Sequence, residues 1–177
     1  MKRTTLDSIR VHRSPLDPRR GRLVAGAISI PCALGRSGAT HRKREGDGAS
    51  PVGRFRVLQA FYRADRLPRP RTLLPLTAIG PQDGWCDDPR DRRYNRPIRL
   101  PDPARHERLS RQDGLYDVVL DLDFNRSPIQ RGRGSAIFLH CAKPGFPPTE
   151  GCIAVDPRMI ARIIRSIGPW TTVKLIG

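Results

Sequence analysis

The sequence predicts a mainly β fold with a single helix in its C-terminal region, at about residues 157–167. Three observations carry this. Proline (18) and glycine (16) are abundant and spread through the 177 residues, the mark of many short elements joined by tight turns. Apolar residues recur at every second position in several runs, as on half-buried strands. Only one segment carries an apolar stripe at helical spacing: Ile160, Ile163, Ile164 and Ile167. A chain of this length buries a substantial core without a metal or disulfide framework. No stretch reaches the roughly 18 apolar residues of a membrane span.

Each element follows in order. Residues 1–20 form a charged, polar N-terminal segment with no apolar stretch of the secretory-signal kind. Within it, Leu6 to Val11 alternates weakly, as a first strand does. Leu23 to Ile30 reads as one buried strand stopped at Pro31. Arg36 to Ser50 is a polar loop in which Gly46-Asp47-Gly48 signals a turn, and Glu45 and Asp47 are suited to holding that turn and pairing with arginines. Phe55, Val57, Gln59 and Phe61 alternate with Arg56, Leu58 and Ala60, a strand covered in part on both faces. Arg63 to Gln112 is long and punctuated by prolines, a stretch expected to hold short strands near Thr72 to Ile79 and a binding surface. Tyr116 to Phe124 alternates again, with Asp117, Asp121 and Asp123 set against Val118, Leu120 and Leu122. Ala136 to Leu139 is apolar on both faces, and alternation places Ala136, Phe138 and His140 on one side and Ile137, Leu139 and Cys141 on the other. Asp156-Pro157 supplies an N-cap and a proline at the first helical position. Gly168 ends the helix, and Thr171 to Ile176 closes the chain as a strand. Neither repeats nor a second domain are visible, so residues 1–177 are read as one domain.

The formal net charge is +16, and of 33 basic residues only Lys2, Lys43, Lys143 and Lys174 are lysine. Such a field attracts anionic polymers: nucleic acid, anionic lipid or an acidic cell-wall polymer. The arginines are scattered, not gathered on one helix or interleaved with aromatics, and arginine-rich, lysine-poor usage is what a G+C-rich genome produces. Nucleic acid is therefore not the expected partner. Four cysteines, at 32, 86, 141 and 152, form no C-x-x-C pair and match no zinc spacing, and Cys32 and Cys141 read as buried free thiols. No metal or cofactor is implied.

His140 and Cys152 are the chemically informative pair. A thiol attacks a carbonyl carbon as thiolate, so it needs a partner that removes its proton, and histidine is suited to that task. Attack creates an oxyanion, which needs converging N–H donors, and Gly151 lets the chain turn tightly enough to present them. The intervening Lys143-Pro144-Gly145-Phe146-Pro147-Pro148 is stiffened by its prolines, as a fixed wall is. A histidine at a strand end also serves as a satisfied structural residue, and the spacing by itself leaves both readings open.

Gly134-Ser135-Ala136-Ile137-Phe138-Leu139-His140 followed by Thr149-Glu150-Gly151-Cys152-Ile153 resembles the catalytic region of the YkuD-type L,D-transpeptidases. Upstream, Lys43-Arg44-Glu45-Gly46-Asp47-Gly48-Ala49-Ser50-Pro51-Val52-Gly53-Arg54-Phe55 resembles the segment in which a Ser/Thr-Pro-x-Gly-x-Phe turn leads into a strand. Trp85-Cys86-Asp87-Asp88-Pro89, Tyr94-Asn95 and Tyr116-Asp117 are similar to the single-domain branch of that family. The resemblance covers roughly residues 20 to 176. It implies a β-sandwich of mixed sheets with the cysteine in a cleft beside the sheet. It also implies that Cys152 attacks the carbonyl on the L-centre of diaminopimelate in a peptidoglycan tetrapeptide stem. D-alanine leaves, and an amine of a second stem, or water, resolves the thioester. His140 is then general base and acid, and the N–H groups of Gly151 and Cys152 hold the oxyanion. Asp87, Asp88, Arg93, Tyr94, Asn95, Thr149 and Glu150 are the substrate-side candidates. Two positions depart from the pattern: Glu150 stands where many members carry histidine, and Ala154 where many carry arginine. The second leaves the substrate carboxylate without its usual anchor, for which Arg93 is a replacement. Glu150 is either a solvent-facing loop residue or a contact for the acceptor amine.

The rival readings are an L,D-carboxypeptidase using the same site and a basic, non-enzymatic module binding an anionic polymer. The expected partner is a peptidoglycan stem peptide, and a monomer is expected. The substrate class implies the periplasm or cell envelope, whereas the absence of a clear signal peptide leaves a cytoplasmic site of action as the alternative.

Overall fold

The structure, a computed structural model, describes residues 5–177 and has, among them, fourteen strands and one α-helix. Residues 1–4, the start of the expected polar segment, lie outside the described residues. The strands are β1 (Ser8–Arg13), β2 (Arg20–Ala25), β3 (Ile28–Ala33), β4 (Ala39–Thr40), β5 (Ser50–Pro51), β6 (Gly53–Tyr62) and β7 (Leu76–Ala78). They continue as β8 (Asp83–Cys86), β9 (Arg96–Arg99), β10 (His106–Arg108), β11 (Val118–Leu122), β12 (Phe138–Cys141), β13 (Ile153–Val155) and, after helix α1 (Pro157–Ile163), β14 (Thr172–Ile176).

Nine of them form one mixed sheet in the order β11-β12-β13-β3-β2-β1-β14-β6-β7. β6 pairs through Gly53 to Arg56 with β14 and through Val57 to Tyr62 with β11, so the row closes on itself and β6 is shared between the layers of a sandwich. The pairs β1–β14, β12–β13 and β6–β7 are parallel, and the rest of this sheet is antiparallel. Between the layers lies a core that includes Ile9, Val11, Leu23, Leu120, Leu139, Val155 and Val173.

The first strand expected within the polar segment is present as β1. Ile9 and Val11 are fully buried, and β1 is held between β2 and β14, with Arg10, Arg13 and His12 turned outward. One sequence expectation needs correcting here. The single strand read at Leu23 to Ile30 is instead a hairpin, with Ala25 opposite Ile28. Gly26 has φ 61, the left-handed conformation a two-residue turn demands and glycine adopts without strain. Pro31 lies inside β3, opposite Arg22, on the part of the strand that β13 does not reach, where a missing N–H costs no ladder bond.

Other expectations are met. Ile137, Leu139 and Cys141 face the main core, while Ala136 and Phe138 join a second cluster with Trp85, Tyr116 and Cys152 on the opposite face of β12. Asp156 caps α1 by accepting from the Arg158 N–H at 2.8 Å, and Pro157 opens the helix. The isoleucine stripe is fully buried, although the helix tightens into a 3-10 turn at Ile164–Ser166, before residue 167. All four cysteines are free and buried. The long segment 63–112 carries a small sheet of order β10-β8-β9. Trp85 on β8 docks this sheet by packing edge-on against Phe138, ring centres 5.1 Å apart. The small sheet thus becomes a wall beside the second cluster.

Candidate active site

Cys152 sits where a tight turn feeds β13. Gly151 has φ 135, and a side chain there would meet the Ala49 carbonyl at 2.8 Å. The loop 43–49 packs against that bare backbone, so only glycine fits. Thr149 ties the turn: its Oγ1 donates to the Cys152 carbonyl at 2.7 Å and accepts from the Gly151 N–H at 3.1 Å. Ser50 adds a second donor to the same carbonyl at 3.2 Å. The thiol itself is fixed by β12, donating to the Ala136 carbonyl at 3.1 Å and accepting from the Phe138 N–H at 3.4 Å. Ala136 has φ 51, unusual for a residue with a side chain, and this aims its carbonyl at Sγ.

His140 is buried and lines the same cleft as Cys152. Its Nδ1 lies 2.8 Å from the Cys141 carbonyl. A carbonyl only accepts, so Nδ1 carries the proton and Nε2 keeps the lone pair of a base. The Tyr116 ring packs edge-on to the imidazole at 5.3 Å. Desolvation pushes the His140 pKa down to about 4 and the Cys152 thiol up to about 12. For Cys152 the Phe138 N–H opposes the rise, the Glu107 charge adds to it and the Lys43 ammonium opposes it. The resting pair is therefore a neutral thiol and a neutral imidazole. No hydrogen bond joins the two groups among the described residues, so proton transfer from Sγ to Nε2 belongs to the reaction and not to the resting state.

The cleft encloses about 410 Å³. Its walls are the small sheet (Glu107), the loop before β11 (Arg111, Leu115, Tyr116), β12 with its approach (Ser135, Ala136, His140) and the proline loop (Lys143, Pro147, Pro148).

The substrate-side candidates divide. Thr149 and Glu150 lie at the cleft, but the Thr149 hydroxyl is committed to the turn, and Glu150, largely exposed, pairs with Arg36 at 2.9 Å. Asp87 also lines the cleft and binds Arg105 at 3.0 Å, whereas Asp88 is capped by Arg90 outside it. Arg93, Tyr94 and Asn95 do not line the cleft. Arg93 is held by Asp91 and by Asp102 at 2.7 and 2.6 Å, so its charge is spent, and the cleft cations are Arg105, Arg111 and Lys143. Tyr94 is buried, donates to Glu45 and accepts from the Gly134 N–H at 3.0 Å. Asn95 uses its whole amide: Oδ1 accepts from Trp85 Nε1 at 3.0 Å and the Ala136 N–H at 3.1 Å, while Nδ2 donates to the Phe124 and Asn125 carbonyls. Asn95 is thus a positioning residue for Ala136, and through it for Sγ.

Sequence reasoning missed Lys43, Glu107 and Arg111. Lys43 is buried, bound to Asp47 and to the Arg44 carbonyl, and its Nζ lies 3.4 Å from where a Gly151 side chain would start. The only signal for it was its place at the head of the Glu45-Gly46-Asp47-Gly48 turn.

A sandwich that presents a buried cysteine and a neutral histidine to one cleft defines a cysteine-enzyme type of site. Residues 18–175 match the YkuD family, described as the L,D-transpeptidase catalytic domain, and the chain belongs to that family. Among solved structures it is similar to Mycobacterium tuberculosis L,D-transpeptidase 1, at 15% sequence identity and a TM-score of 0.42, over 97% of this chain and 60% of that one. No curated protein matches it.

Proposed function

We propose that this protein is a cysteine-dependent L,D-transpeptidase that cleaves the diaminopimelate–D-Ala bond of a peptidoglycan tetrapeptide stem and transfers the acyl group to an amine of a second stem. The observation that carries this reading is the convergence of Cys152 Sγ, fixed by Ala136 and Phe138, and His140, with Nε2 unprotonated, on one cleft in a chain of this family. Sγ attacks the peptide carbonyl while His140 takes its proton. His140 then gives the proton to the departing D-alanine amine, leaving a thioester on Cys152. The acceptor amine attacks the thioester carbon, the C–S bond breaks, and the thiol is restored. The Cys152 N–H is the assigned oxyanion donor, and the Gly151 N–H joins it on release from the Thr149 hydroxyl. Arg111 and Lys143 on the cleft wall share the single carboxylate of Asp113, at 2.7 and 3.1 Å, and Lys143, the less tightly paired of the two, takes the anchoring role for a substrate carboxylate that Ala154 leaves empty. The reading also places the site of action at the cell envelope, which fractionation with an antibody to the chain tests.

Incubation of the purified protein with tetrapeptide stems, followed by mass spectrometry, is the test. The expected products are free D-alanine, a cross-linked dimer and an acyl adduct on Cys152, all absent from Cys152→Ala. Tripeptide without dimer identifies a carboxypeptidase instead, and turnover that survives Cys152→Ala sinks the nucleophile assignment.

A further inference from the structure

The cleft holds one carboxylate that neither the nucleophile nor the base uses. Glu107 lies on β10 of the small sheet, opposite Trp85 in register, and lines the cleft with Cys152. Its Oε2 accepts from the Tyr116 hydroxyl at 3.3 Å and from Arg111 Nη1 at 3.5 Å. These contacts are long, and the guanidinium has a better partner: Asp113 binds Arg111 through both oxygens, at 3.0 and 2.7 Å. Among the described residues Oε1 takes no hydrogen bond and is not a buried unsatisfied atom, and Glu107 lines the cleft, so this oxygen is open to it. The other carboxylates there are better compensated: Glu45 by Tyr94, Ser135 and Arg105, Asp87 by Arg105, and Glu150 by Arg36. Tyr116, which holds Glu107, also packs on the His140 ring and on Phe138, whose N–H touches Sγ. The under-compensated carboxylate is thus coupled by direct contacts to the reacting pair.

We propose that Glu107 receives the ammonium of the incoming acceptor amine and takes its proton, so that it determines transfer to an amine over hydrolysis by water. This rests on the proposed acyl-transfer function and deepens it. An amine arrives at neutral pH as an ammonium ion, which cannot attack. It must be recognised by a negative charge and lose one proton before the N–C bond forms. Glu107 accepts that proton, and the free amine then attacks the thioester carbon. The electron pair of the breaking C–S bond returns to Sγ, and the second nitrogen proton reaches Sγ through His140. Glu107 gives its proton to solvent after the product leaves. Burial raises the Glu107 pKa, with Arg111 opposing the rise, and a more basic carboxylate is a more effective proton acceptor. Water needs no counter-charge in order to approach, so hydrolysis does not depend on this group.

The test measures how the Cys152 acyl-enzyme partitions. Protein is mixed with a tetrapeptide donor and graded amounts of a tripeptide carrying a free side-chain amine, and dimer and hydrolysed tripeptide are weighed by mass spectrometry. Glu107→Gln is expected to lower the dimer-to-hydrolysis ratio by about tenfold or more while the acyl adduct still forms, because a positioned general base contributes on the order of a hundredfold or more. The acidic limb of the transfer-rate profile, set by Glu107 in the unaltered protein, is expected to disappear. Glu107→Asp restores part of the ratio, and matching thermal midpoints for the three proteins separate this effect from misfolding. An unchanged ratio, or equal loss of acylation and transfer, overturns the assignment of Glu107. Absence of any Cys152 adduct in the unaltered protein overturns the acyl-transfer reading itself.

Discussion

At the scale of single residues, the site is held by partners that lie far from it in sequence. Asn95 shows this most clearly. Asn95→Ala removes the acceptor of the Trp85 indole and the Ala136 N–H, leaving two buried donors unsatisfied at about 1–3 kcal/mol each. It also releases Ala136 from φ 51, so its carbonyl no longer aims at Sγ. A lowered thermal midpoint together with a faster-than-native loss of activity on warming is expected. A variant with unchanged stability shows that the amide is dispensable. The resting protonation states make a second prediction. With the Cys152 thiol raised to about 12 and His140 lowered to about 4, both groups are neutral at pH 7. Iodoacetamide alkylation of Cys152, read by peptide mass, should climb about tenfold per pH unit from pH 7 to 10, since only the thiolate reacts. A plateau across neutral pH indicates a preformed thiolate–imidazolium pair and refutes the neutral site. His140 and Cys152 were legible because both required residue types stand in one short span. Glu107 was not, because its relation to the thiol is made by the docking of a separate small sheet through Trp85 onto Phe138, and Arg111 was not, because it sits in the irregular loop between that sheet and β11.

At the scale of elements, periodicity identified strands and the helix, while a turn between two apolar strands escaped it. β12 and the isoleucine stripe of α1 follow their sequence pattern, and the Asp156-Pro157 start is realised as an N-cap and a first helical proline. The weak alternation of Leu6 to Val11 is realised as β1, whose buried side is Ile9 and Val11. The β2–β3 turn was invisible because Gly26 is followed by alanine and flanked by apolar residues, without the Asn-Gly or Asp-Gly chemistry that marks a hairpin. The stripe is also where an element-scale test is sharpest. Ile163→Ala empties a fully buried site between α1 and the sheet, at a cost of about 2–5 kcal/mol. For a domain of this size that lowers the thermal midpoint by roughly 4–20 °C. Arg162→Ala, on the exposed side of the same helix, is expected to change it by under about 2 °C, because surface positions lie within about 0.5 kcal/mol of neutral. Equal effects from the two variants exclude α1 as the cover of the core.

At the scale of the whole molecule, the charge is not uniform, and this separates two kinds of interaction. The chain carries +16, yet Glu45, Asp87, Glu107 and Glu150 all line the cleft, where Arg105, Arg111 and Lys143 balance them only in part. On the proposed function, the basic outer surface is expected to draw an anionic polymer over long range, whereas the cleft is expected to select by short-range contacts with one stem peptide. The two respond differently to salt. The screening length falls from about 30 Å at 0.01 M to about 3 Å at 1 M, so attraction by the surface field is lost across that range while contacts inside the cleft are screened much less. Sedimentation with purified cell-wall sacculi is expected to retain the protein at low ionic strength and release it well before 1 M salt, a concentration chosen from that screening range. Over the same range, turnover of a small soluble tetrapeptide should change by less than about threefold, a bound set by the weaker screening of partly buried charges. Cys152→Ala keeps the salt-dependent sedimentation and loses the turnover, because the surface field does not involve the thiol. Parallel loss of both with salt means instead that polymer capture and stem-peptide binding share one charged surface, and the division between outer field and cleft does not hold.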